Sequence, residues 1–167
     1  MNAAYTLGRI FIPIVFLVSG VQKVMNIGEI AQMLAANGVP IPDEIVPYLS
    51  YIGGIPKYEA LGYLIAAIEI ICGLMVLIGL KARWAALVLI VFTACTIIFV
   101  HHFWDMQGDA LIQNRADALK NLSIMGGLLL IVAVGAGPSA ADDRCTGALG
   151  RIDIPQRKGG GLAAAPS

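Results

Sequence analysis

Four separate long apolar stretches dominate this sequence. They begin near Leu7, Ala60, Trp84 and Leu119. A chain of 167 residues, 58% of them hydrophobic and 13% charged, cannot form a core large enough to bury four helices that are apolar on every side. A bilayer suits such helices, because its hydrocarbon layer takes roughly 20 residues per crossing. The sequence therefore predicts an integral membrane protein.

The four stretches predict an all-α membrane protein, a four-transmembrane-helix bundle that forms a single domain over residues 1–140. The expected spans are residues 5–25, 59–80, 84–104 and 118–137. Residues 141–167 have little to pack with and predict a flexible cytoplasmic tail. Arg9 and Lys23 flank the uncharged part of the first span. Both are expected to extend their long side chains toward water, as basic residues near the ends of membrane helices do.

The connection after the first span is the longest in the chain, from Asn26 to Lys57. Ile27, Ile30 and Leu34 recur at helical spacing, which predicts a short interfacial helix in this first outer loop. A Gly-Val-Pro-Ile-Pro run follows directly and is expected to end that helix. A connection of this length is often functional rather than a simple link.

The first span has an alternative interpretation. Its charged start, its short apolar run and Val18-Ser19-Gly20 also resemble a signal peptide followed by a cleavage site. Cleavage there would leave three spans and place the two termini on opposite sides of the membrane. Sequencing the N-terminus of the mature protein distinguishes the two interpretations.

The basic residues predict the orientation of a four-span protein, because Lys and Arg are enriched in cytoplasmic segments. Most of the 11 basic residues fall on the side that carries both termini: Arg9, Lys81, Arg83, Arg144, Arg151, Arg157 and Lys158. The opposite side carries Lys23, Lys57, Arg115 and Lys120. Both termini are therefore expected to be cytoplasmic.

Residue spacing argues against several classes of cofactor and partner. His101 and His102 are adjacent and cannot face one another as paired haem ligands, and Glu69 is the one carboxylate in the middle of a span, too few for a di-iron site. The sequence has no Cys-x-x-Cys, Walker loop or dinucleotide fingerprint. We expect neither a metal nor a covalent cofactor. The net charge of zero, without a basic stripe, argues against nucleic acid as a partner.

Glu69 is the most informative candidate for a functional residue. An ionised carboxylate in the centre of a span costs on the order of 3 kcal/mol even on lenient insertion scales, so its side chain is expected to face the bundle. Gly62, Ala66 and Gly73 share its helical face, and small residues let neighbouring helices approach closely. Two interpretations remain: Glu69 is a structural hydrogen-bonding group between helices, or it is an acid that handles protons or binds a ligand.

The helical rise orders the other polar side chains by depth. Measured from the expected outer boundary of the membrane, Glu69 lies roughly 15 Å down. Lys23 lies about 3 Å down, too shallow for a direct ion pair with Glu69. The remaining site candidates form a polar ladder that descends from the outer face: Ser19, Thr96, His101, His102, Lys120 and Asn121. The ladder predicts a site for a polar headgroup or a proton path, or else a set of contacts between helices.

A series of short motifs resembles the DoxX family of small four-helix membrane proteins. The motifs occur in the family's order and spacing from about Leu7 to Gly137: Gly8-Arg9, Ser19-Gly20-Val21-Gln22-Lys23, Gly38-Val39-Pro40, Glu69 with Gly73, Gly79-Leu80-Lys81-Ala82-Arg83, His101-His102-Phe103, Lys120-Asn121-Leu122 and Met125-Gly126-Gly127. No single motif is specific, but the series is. The resemblance implies a multi-pass protein of a bacterial inner membrane.

Two functional hypotheses follow. The resemblance implies the first, since some relatives are subunits of a thiosulfate:quinone oxidoreductase or a terminal quinol oxidase, whereas the buried acid and the polar ladder favour the second. In the first, the chain is a subunit or accessory protein of a membrane redox assembly, with a partner subunit or a second copy and no redox centre of its own. In the second, it is a small enzyme or carrier that binds a quinone or another lipid ligand beside Glu69. The sequence holds no complete catalytic set, so enzymatic activity stays open, and quinone is the cofactor that remains open.

Overall fold

Five α-helices account for most of the chain that the computed structural model describes, which comprises residues 3–41, 44, 47–48, 54–135 and 137. They are α1 (Ala3–Met25), α2 (Ile27–Ala36), α3 (Lys57–Ile78), α4 (Ala82–Phe99) and α5 (Gly108–Val134), with a 3-10 turn at Phe103–Asp105. Four of them are long and apolar enough to cross a membrane. The predicted all-α four-helix membrane fold is confirmed, including the short helix after the first span.

The last long helix extends well beyond the apolar span that the sequence predicts. The apolar span was expected from residue 118, whereas α5 begins at Gly108. Its first turns carry Asp109, Arg115 and Asp117, so the helix continues beyond its apolar part. Hydrophobicity marks where a chain enters hydrocarbon, and this boundary differs from the point where its backbone becomes helical. The predicted tail, residues 141–167, lies outside the described residues.

The long helices alternate in direction, so each end of the bundle combines the starts of two helices with the finishes of the other two. At one end, here called the basic end, α1 and α4 begin and α3 and α5 finish. At the other, the α2 end, α1 passes into α2 through Asn26, and α4 leads into the 3-10 turn. α1 packs chiefly against α3, α3 against α4, and α4 against α5, whereas α1 and α5 make the least extensive contact of the four. The bundle is therefore tight on three sides and looser on the fourth.

The turn between α3 and α4 is short because Gly79 closes it. This residue has a φ of 77°, a left-handed conformation that glycine adopts without steric cost. The amide of Gly79 donates to the carbonyl of Val76, and that of Leu80 donates to the carbonyl of Met75 at 2.9 Å. Such bonds satisfy carbonyls that a helix end leaves free. The chain can reverse here with few unsatisfied backbone groups.

The core of buried side chains lies in the half of the bundle near the basic end. It combines aliphatic and aromatic side chains with the small residues of α4: Phe16, Val76, Ala82, Ala85, Ala86, Leu89, Leu128 and Ile131. Many large apolar side chains on the outside of the bundle are exposed in the structure, for example Phe11 and Leu130. Such an outer surface is expected where the surrounding medium is lipid.

The expectation that Arg9 and Lys23 extend toward water is wrong. Arg9 is only 5% exposed, and the Lys23 side chain turns inward to a buried partner at 19% exposure. Both residues lie on the face of α1 that packs into the bundle, as buried Phe16 and Gly20 do. Their side chains therefore cannot follow the outer surface to the membrane boundary.

Candidate functional site

The structure places Glu69 in the interior of the bundle, on the helical face that the sequence predicts. Gly62, Ala66, Glu69 and Gly73 are all buried in α3, and Glu69 itself is 3% exposed. The small residues allow close contact with α1, since a Cβ atom added at Gly73 would lie 3.2 Å from Leu17 Cδ2. Glu69 is thus shielded by helices rather than exposed to acyl chains.

An ion pair with Lys23 balances the buried carboxylate. The Lys23 Nζ atom lies 2.9 Å from Oε2 and 3.0 Å from Oε1 of Glu69. Lys23 also donates to the Ser19 hydroxyl, and Ser19 Oγ donates to Glu69 Oε1 at 3.3 Å. The ammonium group has three protons, and these three contacts use all of them. Ser19, Lys23 and Glu69, here called the charged triad, form one hydrogen-bonded unit between α1 and α3.

The prediction that Lys23 lies too near the surface to pair with Glu69 is wrong, because the helices have a different register. A Cβ added at Gly20 would lie 2.6 Å from Ile70 Cγ1 and 3.1 Å from the Ala66 carbonyl. Depths counted from the expected membrane boundaries place Lys23 about one helical turn too close to the membrane surface. Side chains on a helix also tilt toward its N-terminus, so Lys23 extends over Ser19 toward Glu69.

The charged triad forms part of the wall of a cavity of about 490 Å³ between α1, α4 and α5. This is the side of the bundle on which α1 and α5 make little contact. The polar lining joins seven of the eight predicted site residues to two further ones: Ser19, Lys23, Glu69, Thr96, His101, Lys120, Asn121, Gln22 and Thr93. Apolar side chains, including Phe16, Phe92 and Ile124, complete the wall. Seven of the eight predicted residues therefore share the wall of one cavity.

His102, the eighth candidate, is absent from the cavity lining. Its ring instead lies 6.3 Å, between centroids, from that of Trp104. His101 does line the cavity, and its Nδ1 lies 3.0 Å from Asn114 Oδ1. Asn114 was missed by sequence reasoning because it belongs to the part of α5 that precedes the apolar span. No sequence signal identifies it once that segment is taken as a loop.

Several lining groups use part of their hydrogen-bonding capacity locally. Thr93 and Thr96 donate to the carbonyls of Leu89 and Phe92 in their own helix, so neither donates to Glu69. Their oxygens keep lone pairs that can accept. Lys120 pairs with Asp117 at 2.6 Å on an exposed part of α5.

A second, smaller cavity adjoins the first beneath α2. It has a volume of about 200 Å³ and shares Lys23, Phe92, Thr96 and His101 with the larger cavity. Its other walls are apolar: Ile30, Met33, Leu34, Ile65 and Val100. The two cavities together present a polar surface next to an apolar one, which is the pattern of a site for an amphiphilic molecule.

The described residues contain no group of three or more His, Cys, Asp or Glu side chains that could hold a metal ion. The chemistry available in the cavity is hydrogen bonding and charge. Asn121, Gln22 and Lys120 supply donors, whereas Glu69 and the threonine oxygens supply acceptors. The arrangement can orient an oxygen-containing headgroup.

Comparison with known proteins gives a consistent family assignment. The family model described as DoxX matches residues 4–102. The chain is 30% identical to Inner membrane protein YphA of Escherichia coli over 139 residues. This aligned stretch covers 83% of this chain and 87% of the relative. A 72-residue stretch is 33% identical to the Surfeit locus protein 4 homolog of Schizosaccharomyces pombe, covering 42% of this chain and 24% of that protein. No solved structure gives a significant match.

Proposed function

We propose that this chain, which belongs to the DoxX family of membrane proteins, binds an amphiphilic ligand with an oxygen-bearing headgroup, such as a quinone or a lipid. The observation that carries the proposal is the cavity of about 490 Å³ whose wall includes the charged triad. This volume lies within the usual range for small-molecule sites, about 300–1,000 Å³.

The charges around the cavity favour a neutral headgroup. Lys23 and Glu69 offset one another, and Lys120 is paired with Asp117. A ligand with a full charge would have to disrupt one of these pairs. A carbonyl oxygen can accept from Asn121, and a hydroxyl group can donate to a carboxylate oxygen of Glu69. A quinone and its quinol form offer these two kinds of group.

The geometry also suits a ligand with an apolar part. The cavity lies on the side where α1 and α5 make little contact, so acyl or isoprenoid chains could enter from the bilayer. The apolar walls beneath α2 lie beside Lys23 of the charged triad. We therefore place the headgroup in the larger cavity and part of the apolar chain in the smaller one.

The role in a redox assembly is the second part of the proposal and follows from the family resemblance. In this scheme the chain supplies the ligand site, and a partner subunit supplies or removes electrons. Location in a bacterial inner membrane is supported by the relative named Inner membrane protein YphA. The distribution of Lys and Arg favours cytoplasmic termini.

Purification in a mild detergent tests the proposal. Small molecules and polypeptides that remain bound to the full chain are identified by mass spectrometry, for the wild type and for Glu69→Gln. Glu59→Gln is the matched control, because it makes the same chemical change in the same helix outside both cavities. We expect a quinone or lipid that is lost in Glu69→Gln and retained in Glu59→Gln. A stoichiometric partner protein without any small molecule would contradict the ligand proposal and support the subunit hypothesis alone.

A further inference from the structure

Arg9 is a buried cation at the basic end of the bundle, about 15 Å along α1 from Ser19 of the charged triad. Its side chain is 5% exposed, and its Nε and Nη1 atoms are buried without a hydrogen-bond partner among the described residues. Buried polar atoms in proteins are almost always paired, and a buried charge without a partner is costly. A ligand that accepts hydrogen bonds and carries negative charge would remove this cost.

The carboxylates of the described chain cannot supply that charge. Apart from Glu69 inside the bundle, they lie toward the α2 end: Glu29, Glu44, Glu59, Asp105, Asp109 and Asp117. The basic end of the bundle carries no described carboxylate and has a second guanidinium group, that of Arg83. Arg83 is exposed, and its Nε would lie 3.0 Å from a Cβ atom added at Gly135.

Tyr5 joins the two arginines. Its hydroxyl donates to the Gly135 carbonyl, and the Arg83 guanidinium lies against the same glycine. Arg9 follows Tyr5 by one helical turn on the same side of α1. Three helices therefore meet here: α1 contributes Tyr5 and Arg9, α4 contributes Arg83, and the end of α5 contributes Gly135. We infer that Arg9 and Arg83, held together at this end by Tyr5, form a binding site for the phosphate group of an anionic phospholipid in the adjacent leaflet.

The chemistry and the position both favour this ligand. A guanidinium group can donate two parallel hydrogen bonds to phosphate. Arg9 lies six residues from the start of α1, about 9 Å along the helix at the usual rise, near the level at which headgroups meet the hydrocarbon layer. Leu130 and Val134, on the last turns of α5, are exposed and apolar. Acyl chains can pack there beside the phosphate site.

Lipid binding to the full chain in detergent tests the inference. Phosphatidylglycerol is titrated into the delipidated protein and followed by native mass spectrometry and by thermal stability. Diacylglycerol, which has the same acyl chains without phosphate, is the lipid control. We expect phosphatidylglycerol to bind and to raise the melting temperature, and Arg9→Gln to weaken this binding on the order of tenfold or more, as loss of a charge-assisted contact implies.

Two further variants keep the test informative if Arg9→Gln folds poorly. Arg83→Gln removes the exposed arginine and should also weaken binding. Lys81→Gln removes an exposed cation from the same end of the bundle without altering Arg9, Arg83 or Tyr5, and should leave binding unchanged. Equal losses in Arg83→Gln and Lys81→Gln would indicate general charge attraction and overturn the inference.

Three other results would overturn it. One is that diacylglycerol stabilises the protein as much as phosphatidylglycerol does. Another is that inorganic phosphate alone reproduces the full stabilisation. The third concerns Asp142 and Asp143, which lie outside the described residues. If their joint change to Asn lowers stability as Arg9→Gln does, and the two effects are not additive, the chain itself supplies the anion.

Discussion

Glu69 and Lys23 show how a membrane protein can keep two charges in its interior. Removing charged groups from water is expensive, and their attraction offsets this cost only when the geometry is good and other hydrogen bonds complete the arrangement. Both carboxylate oxygens of Glu69 lie within 3.0 Å of the ammonium group, and Ser19 contacts both partners. Such pairs contribute little net stability, which agrees with the ligand role that we propose for the cavity.

At this scale we predict that the two single variants are less stable than the double variant. Glu69→Leu and Lys23→Met each leave one buried charge without a partner, a change that costs about 3–5 kcal/mol in soluble proteins. The double variant should recover most of the loss. Denaturant unfolding in detergent measures all three, and a double variant as unstable as the sum of the singles would contradict the prediction.

The site residues divide into those that the sequence could predict and those that it could not. A carboxylate in the middle of an apolar span must face other helices, which is why Glu69 was assigned correctly to the interior. Its pairing with Lys23 depends on the register between α1 and α3, and no boundary residue encodes that register. His101 lines the cavity and His102 does not, because the chain changes direction after α4. The few residues at this point do not predict that direction.

At the scale of the elements, the contact between α1 and α3 sets the geometry of the site. Gly20 permits it, since a Cβ atom there would lie 2.6 Å from Ile70 Cγ1 and 3.1 Å from the Ala66 carbonyl. The Ile70 side chain can shift, but the backbone oxygen can move only with its helix. Close packing of this kind joins membrane helices through small residues. The sequence predicts the small-residue face of α3, whereas Gly20 acquires its importance only from the register.

We predict that Gly20→Ala destabilises the bundle although alanine is the better helix former. The added methyl group must push α1 from α3, and overpacking of this kind costs roughly 1–3 kcal/mol. Gly126→Ala is the control, because a Cβ atom there meets nothing within 4 Å, and the change should be neutral or stabilising by up to about 1 kcal/mol. Thermal unfolding of both variants in the same detergent gives the comparison. Equal stability of the two would mean that α1 and α3 are less close than the structure shows.

The four long helices were predictable because apolar length alone identifies a crossing. The start of α5 was not, because its first turns carry the polar residues of an exposed helix. For the same reason, apolar length did not reveal Asn114, which belongs to those turns and contacts His101. A prediction limited to the apolar part of α5 therefore leaves out a residue that contacts the site.

At the scale of the whole molecule, the two ends of the bundle differ in charge. Described cations at the basic end are Arg9, Lys81 and Arg83, and the described carboxylates lie inside the bundle or toward the α2 end. The proposed ligand site opens near the α2 end, and the proposed phosphate site lies at the basic end. The orientation of the chain in the membrane therefore decides which leaflet supplies the ligand of each proposed site.

We predict that the basic end faces the cytoplasm. Basic residues are retained on the cytoplasmic side during insertion, so the C-terminus should share that side with the connection between α3 and α4. Alkaline phosphatase, which is active only after export, should be inactive when fused to the C-terminus of the full chain. The same enzyme fused after Gln107, just before α5, should be active. The reverse pattern would contradict the orientation and move the proposed ligand site to the cytoplasmic leaflet. Activity of both fusions would show that the fourth helix does not cross the membrane.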